Sequence, residues 1–242
     1  MTGTSPIVRP RSLPGRILWR IERELMGTVI GVRTAAPLVA LTFDDGPHPT
    51  FTPRLLDLLG RYDARATFFM LGQSAAARPD LVRQVAEAGH TVANHTWSHA
   101  RMPEVRGRQR RAEIRRCAQA LKPYGVRLFR PPFGGQSLAS RLDAFLLGHQ
   151  VVTWSAHAED WRVADPAVVA DRVERALQPG AIILLHDALA GARPGSLEDR
   201  GAMIAGLELL FDRLDRRYQF VTLPELMRQG RPVRVSWYRE AL

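Results

Sequence analysis

Leu38-Val-Ala-Leu-Thr-Phe43 runs straight into Asp44-Asp45-Gly46-Pro47, and this junction decides how the chain is expected to fold. An apolar run of that length, rich in branched and aromatic residues, reads as a buried strand. An open doubly wound sheet would place a Gly-rich phosphate loop after its first strand. Two carboxylates and a Gly-Pro turn stand there instead. Downstream, strands are predicted at Ala66–Leu71, Thr91–Asn94, Arg127–Phe129, Val151–Trp154, Ala181–Leu185 and Phe220–Leu223. Helices are predicted between them at Pro53–Leu59, Pro79–Ala88, Arg108–Leu121, Ser137–Leu147, Asp165–Leu177 and Ala202–Leu214. Regular alternation with short links implies right-handed βαβ units and a parallel sheet. The expected fold class is α/β, a single-domain distorted, TIM-like (β/α) barrel of about seven parallel strands.

The composition narrows the chemistry. The 242 residues are 45% hydrophobic and 24% charged, a globular balance with no need of staples. Cys117 stands alone, which excludes an intramolecular disulfide and an all-cysteine zinc site, so any metal must be held by histidine and carboxylate. The net charge is +10, and apart from Lys122 every basic side chain among the 34 is arginine. Such a surface attracts polyanions. With no helix-turn-helix, RNP motif or basic run interleaved with aromatics, no specific nucleic-acid partner is expected.

Residues 1–36 are expected to form an N-terminal arm and an amphipathic helix, and residues 37–242 the barrel domain. Pro6, Pro10 and Pro14 mark the arm as loose. Between Arg16 and Met26, Ile17, Leu18, Ile21 and Leu25 share one helical face. That face suits packing on the barrel; the sharper reading is peripheral contact of residues 16–26 with an anionic membrane. Charges interrupt the N-terminal apolar residues, and no run approaches the ~18–20 residues of a membrane span. The expected location is the cytoplasm.

Polar residues punctuate the strand ends: Asp44-Asp45, His95, Arg130, Asp160-Trp161 and His186-Asp187. In a parallel barrel those ends open on one face, where catalytic groups gather. His95-Thr-Trp-Ser-His99 places two imidazoles side by side if the segment turns helically. With a carboxylate from Asp44-Asp45 they would make a two-histidine, one-carboxylate site with an open position, the pattern of catalytic zinc. A metal so held lowers the pKa of bound water from ~15.7 toward ~7. Adjacent carboxylates at a strand end point apart, so one can ligate while the other faces that water. Asp-Asp-Gly-Pro is equally an ordinary turn signal.

Taken together, Thr42-Phe-Asp-Asp-Gly46, His95-Thr-Trp-Ser-His99, Arg130-Pro-Pro-Phe133, Asp160-Trp161 and Leu184-Leu-His186 resemble, in order, the motifs of the NodB-homology polysaccharide deacetylases (carbohydrate esterase family 4). The resemblance spans Leu38 to Leu226. It implies a divalent metal, usually zinc with cobalt or another divalent ion as alternatives, on Asp45, His95 and His99. It also implies hydrolysis of N-acetyl groups from amino sugars in an N-acetylated glycan. Asp44 falls at the general base, Arg130 at the residue that orients it, and His186 at the general acid. Phe133 falls where a backbone N–H meets the oxyanion, and Trp161 and Leu184 where an apolar pocket takes the acetyl methyl; alone, both read as core. The fourth motif departs from the family: His157 replaces an aspartate three residues before Asp160-Trp161. Asp160 is the expected support for His186, with Glu159 and Asp187 as spare, solvated or loop-pairing neighbours. A chitooligosaccharide-like substrate is favoured. A deacylase or deformylase of a lipid-linked sugar or small metabolite is the alternative, and a non-catalytic glycan-binding barrel the last.

Overall fold

The computed structural model describes residues 20, 22–191 and 195–236. Its strands are β1 (Thr28–Arg33), β2 (Leu38–Asp44), β3 (Ala66–Met70), β4 (Thr91–Asn94), β5 (Gly125–Phe129), β6 (Gln150–Val151), β7 (Ala156–His157), β8 (Ile182–His186), β9 (Gln219–Phe220) and β10 (Arg231–Val235). The main sheet runs β6-β5-β4-β3-β2-β8-β7, every pairing parallel, with β9 beside the start of β2. Helices intervene along the chain, as βαβ chirality requires. The seven strands curl into a half-barrel whose edge strands, β6 and β7, are joined only by residues 152–155. This is the distorted barrel expected from the sequence.

Strand periodicity sorts the side chains into two layers. On β2, Val39, Leu41 and Phe43 face the helices and join the larger core, while Leu38 and Ala40 turn into the barrel. The same alternation directs Thr42 and Asp44 inward. On β8, Ile183 and Leu185 face out and Ile182 faces in, so His186 also turns inward. Asp44 and His186 are register partners, which sets a carboxylate and an imidazole side by side at the rim.

The expected strand Val151–Trp154 breaks after Val151. The Thr153 N–H donates to the Val29 carbonyl, and the Thr153 carbonyl accepts from Arg130, so its ladder groups are taken. The expected strand Phe220–Leu223 ends at Phe220, because Thr222 and Glu225 form a capping box that starts helix Leu223–Arg228. β1 and β10 form an antiparallel pair not anticipated from the sequence. Arg231-Pro-Val-Arg lacks a strand's alternation, yet proline is tolerated at an edge. β1 passes so close to the chain before β8 that a Cβ on Gly180 (φ +83°) would lie 1.7 Å from the Val32 carbonyl oxygen. The loose arm at 1–14, and residues 16–19 and 21 of the expected amphipathic helix, lie outside the described residues; residues 22–26 are helical. Among the described residues no helix is long and apolar enough to cross a membrane.

Candidate active site

Asp44 reaches the barrel mouth by strand alternation; Asp45 gets there differently. Continued extended backbone would send Asp45 toward the helices, but its φ of 75° turns the side chain back into the same cavity. Non-glycine residues adopt that conformation only when their surroundings hold them in it. Asp45 Oδ2 accepts the Ala190 N–H at 2.9 Å. Its Oδ1 is buried with no hydrogen-bond donor, 3.3 Å from His95 Nε2 and 3.2 Å from His99 Nε2.

His95 and His99 come together on a loop rather than a helix. Thr96 (φ 73°) and His99 (φ 61°) take left-handed backbone, and the Thr96 N–H donates to Asn94 Oδ1 at 2.9 Å. The buried Glu113 carboxylate accepts the Trp97 and Ser98 N–H groups at 3.0 and 2.8 Å, pegging the loop. His95 Nδ1 lies 2.8 Å from the Arg130 carbonyl. A carbonyl only accepts, so Nδ1 carries a proton and Nε2 is the nitrogen that faces Asp45. One ligand atom from each of Asp45, His95 and His99 lies within 4.8 Å of the others. An orphaned buried carboxylate oxygen facing two imidazole nitrogens fits a divalent cation. Burial works to raise the Asp45 pKa, but His95, His99 and His186 outweigh it and bring it to about 2. Burial draws His99 down to about 4, against the pull of Asp45. Both residues thus stand in the forms that ligate.

Arg130 is wholly buried and fixes Asp44. Its Nη1 donates to Asp44 Oδ1 at 2.7 Å and Thr42 Oγ1 at 2.8 Å, and its Nη2 donates to the Thr153 carbonyl at 2.8 Å. The guanidinium lies 4.1 Å from the Phe69 ring centroid. Burial lowers its pKa and Asp44 opposes that fall. Asp44 Oδ2 stays turned to the histidines, 3.7 Å from His95 Nε2.

Opposite stands His186. Its Nδ1 lies 3.1 Å from Asp160 Oδ1, and its backbone N–H donates to Asp160 Oδ2 at 3.0 Å. Arg200 Nη1 donates to the same carboxylate at 3.3 Å. Burial opposes protonation of His186, yet Asp160, with Asp45 and Asp44, pushes its pKa up to about 9. Asp160, rather than His157, lies against His186; His157 is exposed beside Trp161, ring centroids 5.7 Å apart. Trp161 meets His186 edge-on at 5.2 Å. These groups border a cavity of about 460 Å³ that Phe133, Trp161 and Leu184 also line. Phe133 holds left-handed backbone (φ 59°), its ring centroid 4.6 Å from that of His99.

The profile of the polysaccharide deacetylase family matches residues 31–152. A peptidoglycan-N-acetylglucosamine deacetylase of Bacillus cereus is 37% identical over 220 residues, 88% of this chain and 99% of its own. The chain belongs to the polysaccharide deacetylase family. This deacetylase is also 35% identical over 214 residues to a chitooligosaccharide deacetylase of Sinorhizobium fredii, covering 84% and 98% of the two chains. Among solved structures, it is similar to the family 4 carbohydrate esterase from Streptomyces lividans in complex with acetate (TM-score 0.70, 32% identity, 84% and 99% covered). A peptidoglycan N-acetylglucosamine deacetylase in complex with a naphthyl N-oxidanyl-benzamide gives a TM-score of 0.75 at 28% identity, covering 84% and 94%.

Sequence reasoning missed several supports of the deacetylase site. Arg200, the buried cation on Asp160, lies far along the chain at the start of helix Gly201–Leu214 and carries no local signal. Glu113 leaves a trace, a lone carboxylate between two arginine pairs in helix Gly107–Ala120. Asp187, expected to be solvated or loop-pairing, is fully buried and accepts from the Thr52 hydroxyl. It packs on Gly46, where a Cβ would come 2.2 Å from its Oδ2. Burial raises Asp187 to about 7; the Thr52 bond opposes the rise, and the charges of Asp45 and Asp44 add to it. Glu159 pairs with Arg172 at 2.8 Å.

Proposed function

We propose that this enzyme hydrolyses N-acetyl groups of an N-acetylated glycan with a divalent cation held by Asp45, His95 and His99. The observation that carries this reading is the donor-less Asp45 oxygen facing two imidazole nitrogens, with Asp44 and His186 in register beside it. A bound divalent cation, zinc in the first instance, supplies Lewis acidity toward water and the amide carbonyl.

Asp44 accepts the proton of the attacking water. Arg130 occupies its Oδ1 and leaves Oδ2 for that proton. The Phe133 backbone N–H is the expected donor to the oxyanion that forms as water adds. His186, its Nδ1 held by Asp160, presents the Nε2 proton to the amide nitrogen, which would otherwise be a poor leaving group. Collapse then releases acetate and the free amino sugar. Trp161 and Leu184 take the acetyl methyl.

The relatives are named for peptidoglycan N-acetylglucosamine and for chitooligosaccharides, and the chemistry common to both is an N-acetylated amino sugar. The location follows the substrate. An oligosaccharide or precursor suits the cytoplasm, whereas an assembled wall lies outside the membrane. The test is mass spectrometry of the zinc-loaded enzyme with acetylated chitooligosaccharides, peptidoglycan fragments and acylated lipid-linked sugars. Exchange of acetyl for hydrogen on either glycan supports the reading. Exchange confined to the lipid-linked sugars, or no change in any of the three, overturns it.

A further inference from the structure

Helix Leu138–Leu146 is built inside out. Its polar residues Ser140, Arg141 and Asp143 are buried, while Leu138, Leu142, Phe145 and Leu146 are 44–68% exposed. These four fall one or two turns apart and form a single outward stripe. Leu25, 60% exposed, extends it across a cleft of about 260 Å³ that it shares with Phe145. An amphipathic helix ordinarily turns such a stripe to the core. Here the inner face packs only Ala144 into the core and is otherwise fixed by polar contacts: Arg110 and Arg111 of the adjoining helix Gly107–Ala120 both bind Asp143, and Ser137 and Ser140 close a capping box.

We propose that this outer face docks on an anionic lipid bilayer. The stripe presents only hydrocarbon, which suits acyl chains, whereas protein interfaces carry hydrogen-bonding groups through their area. Charge decides against a second copy as the occupant. Each chain carries +10, and the adjoining helix exposes Arg108 and Arg115, so self-association would bring like charges together while an anionic surface neutralises them. In the sequence Leu25 belongs to the stretch Arg16–Met26, whose apolar residues Ile17, Leu18 and Ile21 are interspersed with three arginines and two glutamates, Glu22 and Glu24. The helix begins five residues after Phe133, which lines the catalytic cavity.

Flotation of the full chain with phosphatidylcholine vesicles, with and without phosphatidylglycerol, tests this directly. The wild type should float with the anionic vesicles. Leu142→Glu with Phe145→Glu should cut the bound fraction about tenfold, while turnover of a soluble chitooligosaccharide persists and certifies the fold. Arg108→Gln with Arg115→Gln should weaken the preference for anionic over neutral vesicles. Three results would overturn the proposal: no flotation with either vesicle, equal flotation of the Leu142/Phe145 variant, or a solution dimer that this variant dissolves.

Discussion

The two flanks of the deacetylase cavity differ in what the chain itself completes. On the His186 flank, both Asp160 oxygens meet protein donors, and a buried arginine balances the carboxylate. On the Asp45 flank, one carboxylate oxygen faces two imidazole nitrogens and no donor. The first arrangement fixes a protonation state with the fold's own groups. The second stays incomplete until a cation arrives, because buried lone pairs aimed at one another are stabilised only by positive charge between them.

Breaking the incomplete flank should have the largest effect. Asp45→Ala should leave the protein without stoichiometric metal, as read by elemental analysis, and reduce kcat/KM about 10³-fold, several kcal/mol of transition-state stabilisation. Wild-type metal content in that variant would erase the contrast between the flanks.

Asp160→Asn should do less and leave metal content intact. Loss of the carboxylate leaves the burial penalty on His186 uncompensated, so its pKa should fall from about 9. An acid must be protonated to act. The alkaline limb of the kcat profile should therefore move to lower pH, with kcat down about 10²-fold. A limb that stays in place would show that Asp160 does not govern His186.

His157→Asp should change least. The residue is exposed beside Trp161, and Asp160 already occupies the position against His186. Aspartate there should alter kcat/KM by no more than about twofold, because Asp160 already holds His186 from the other side of Trp161. A larger gain would assign the earlier aspartate a part in holding the acid.

Much of this contrast was legible before any coordinates. The polar residues at the strand ends, Asp44-Asp45, His95, Arg130 and His186 among them, already marked the rim. Local pattern failed where a distant group overrode it. The strand expected at Val151–Trp154 breaks because Arg130 takes the Thr153 carbonyl, and β10 exists because β1 is there to pair with it. His95 and His99 looked like a helical pair, but a carboxylate on another element, Glu113, shapes their loop. Arg200 was invisible for the same reason: its role is defined only by a neighbour some 40 residues earlier in the chain.

Arg130 divides its duties between side chain and main chain: the guanidinium holds Asp44, whereas the carbonyl sets which nitrogen of His95 carries the proton. Substitution can remove only the former. An alanine or lysine at this position would thus perturb the proton acceptor while sparing the imidazole's tautomer, giving genetics a scalpel for separating base strength from ligand readiness within one residue.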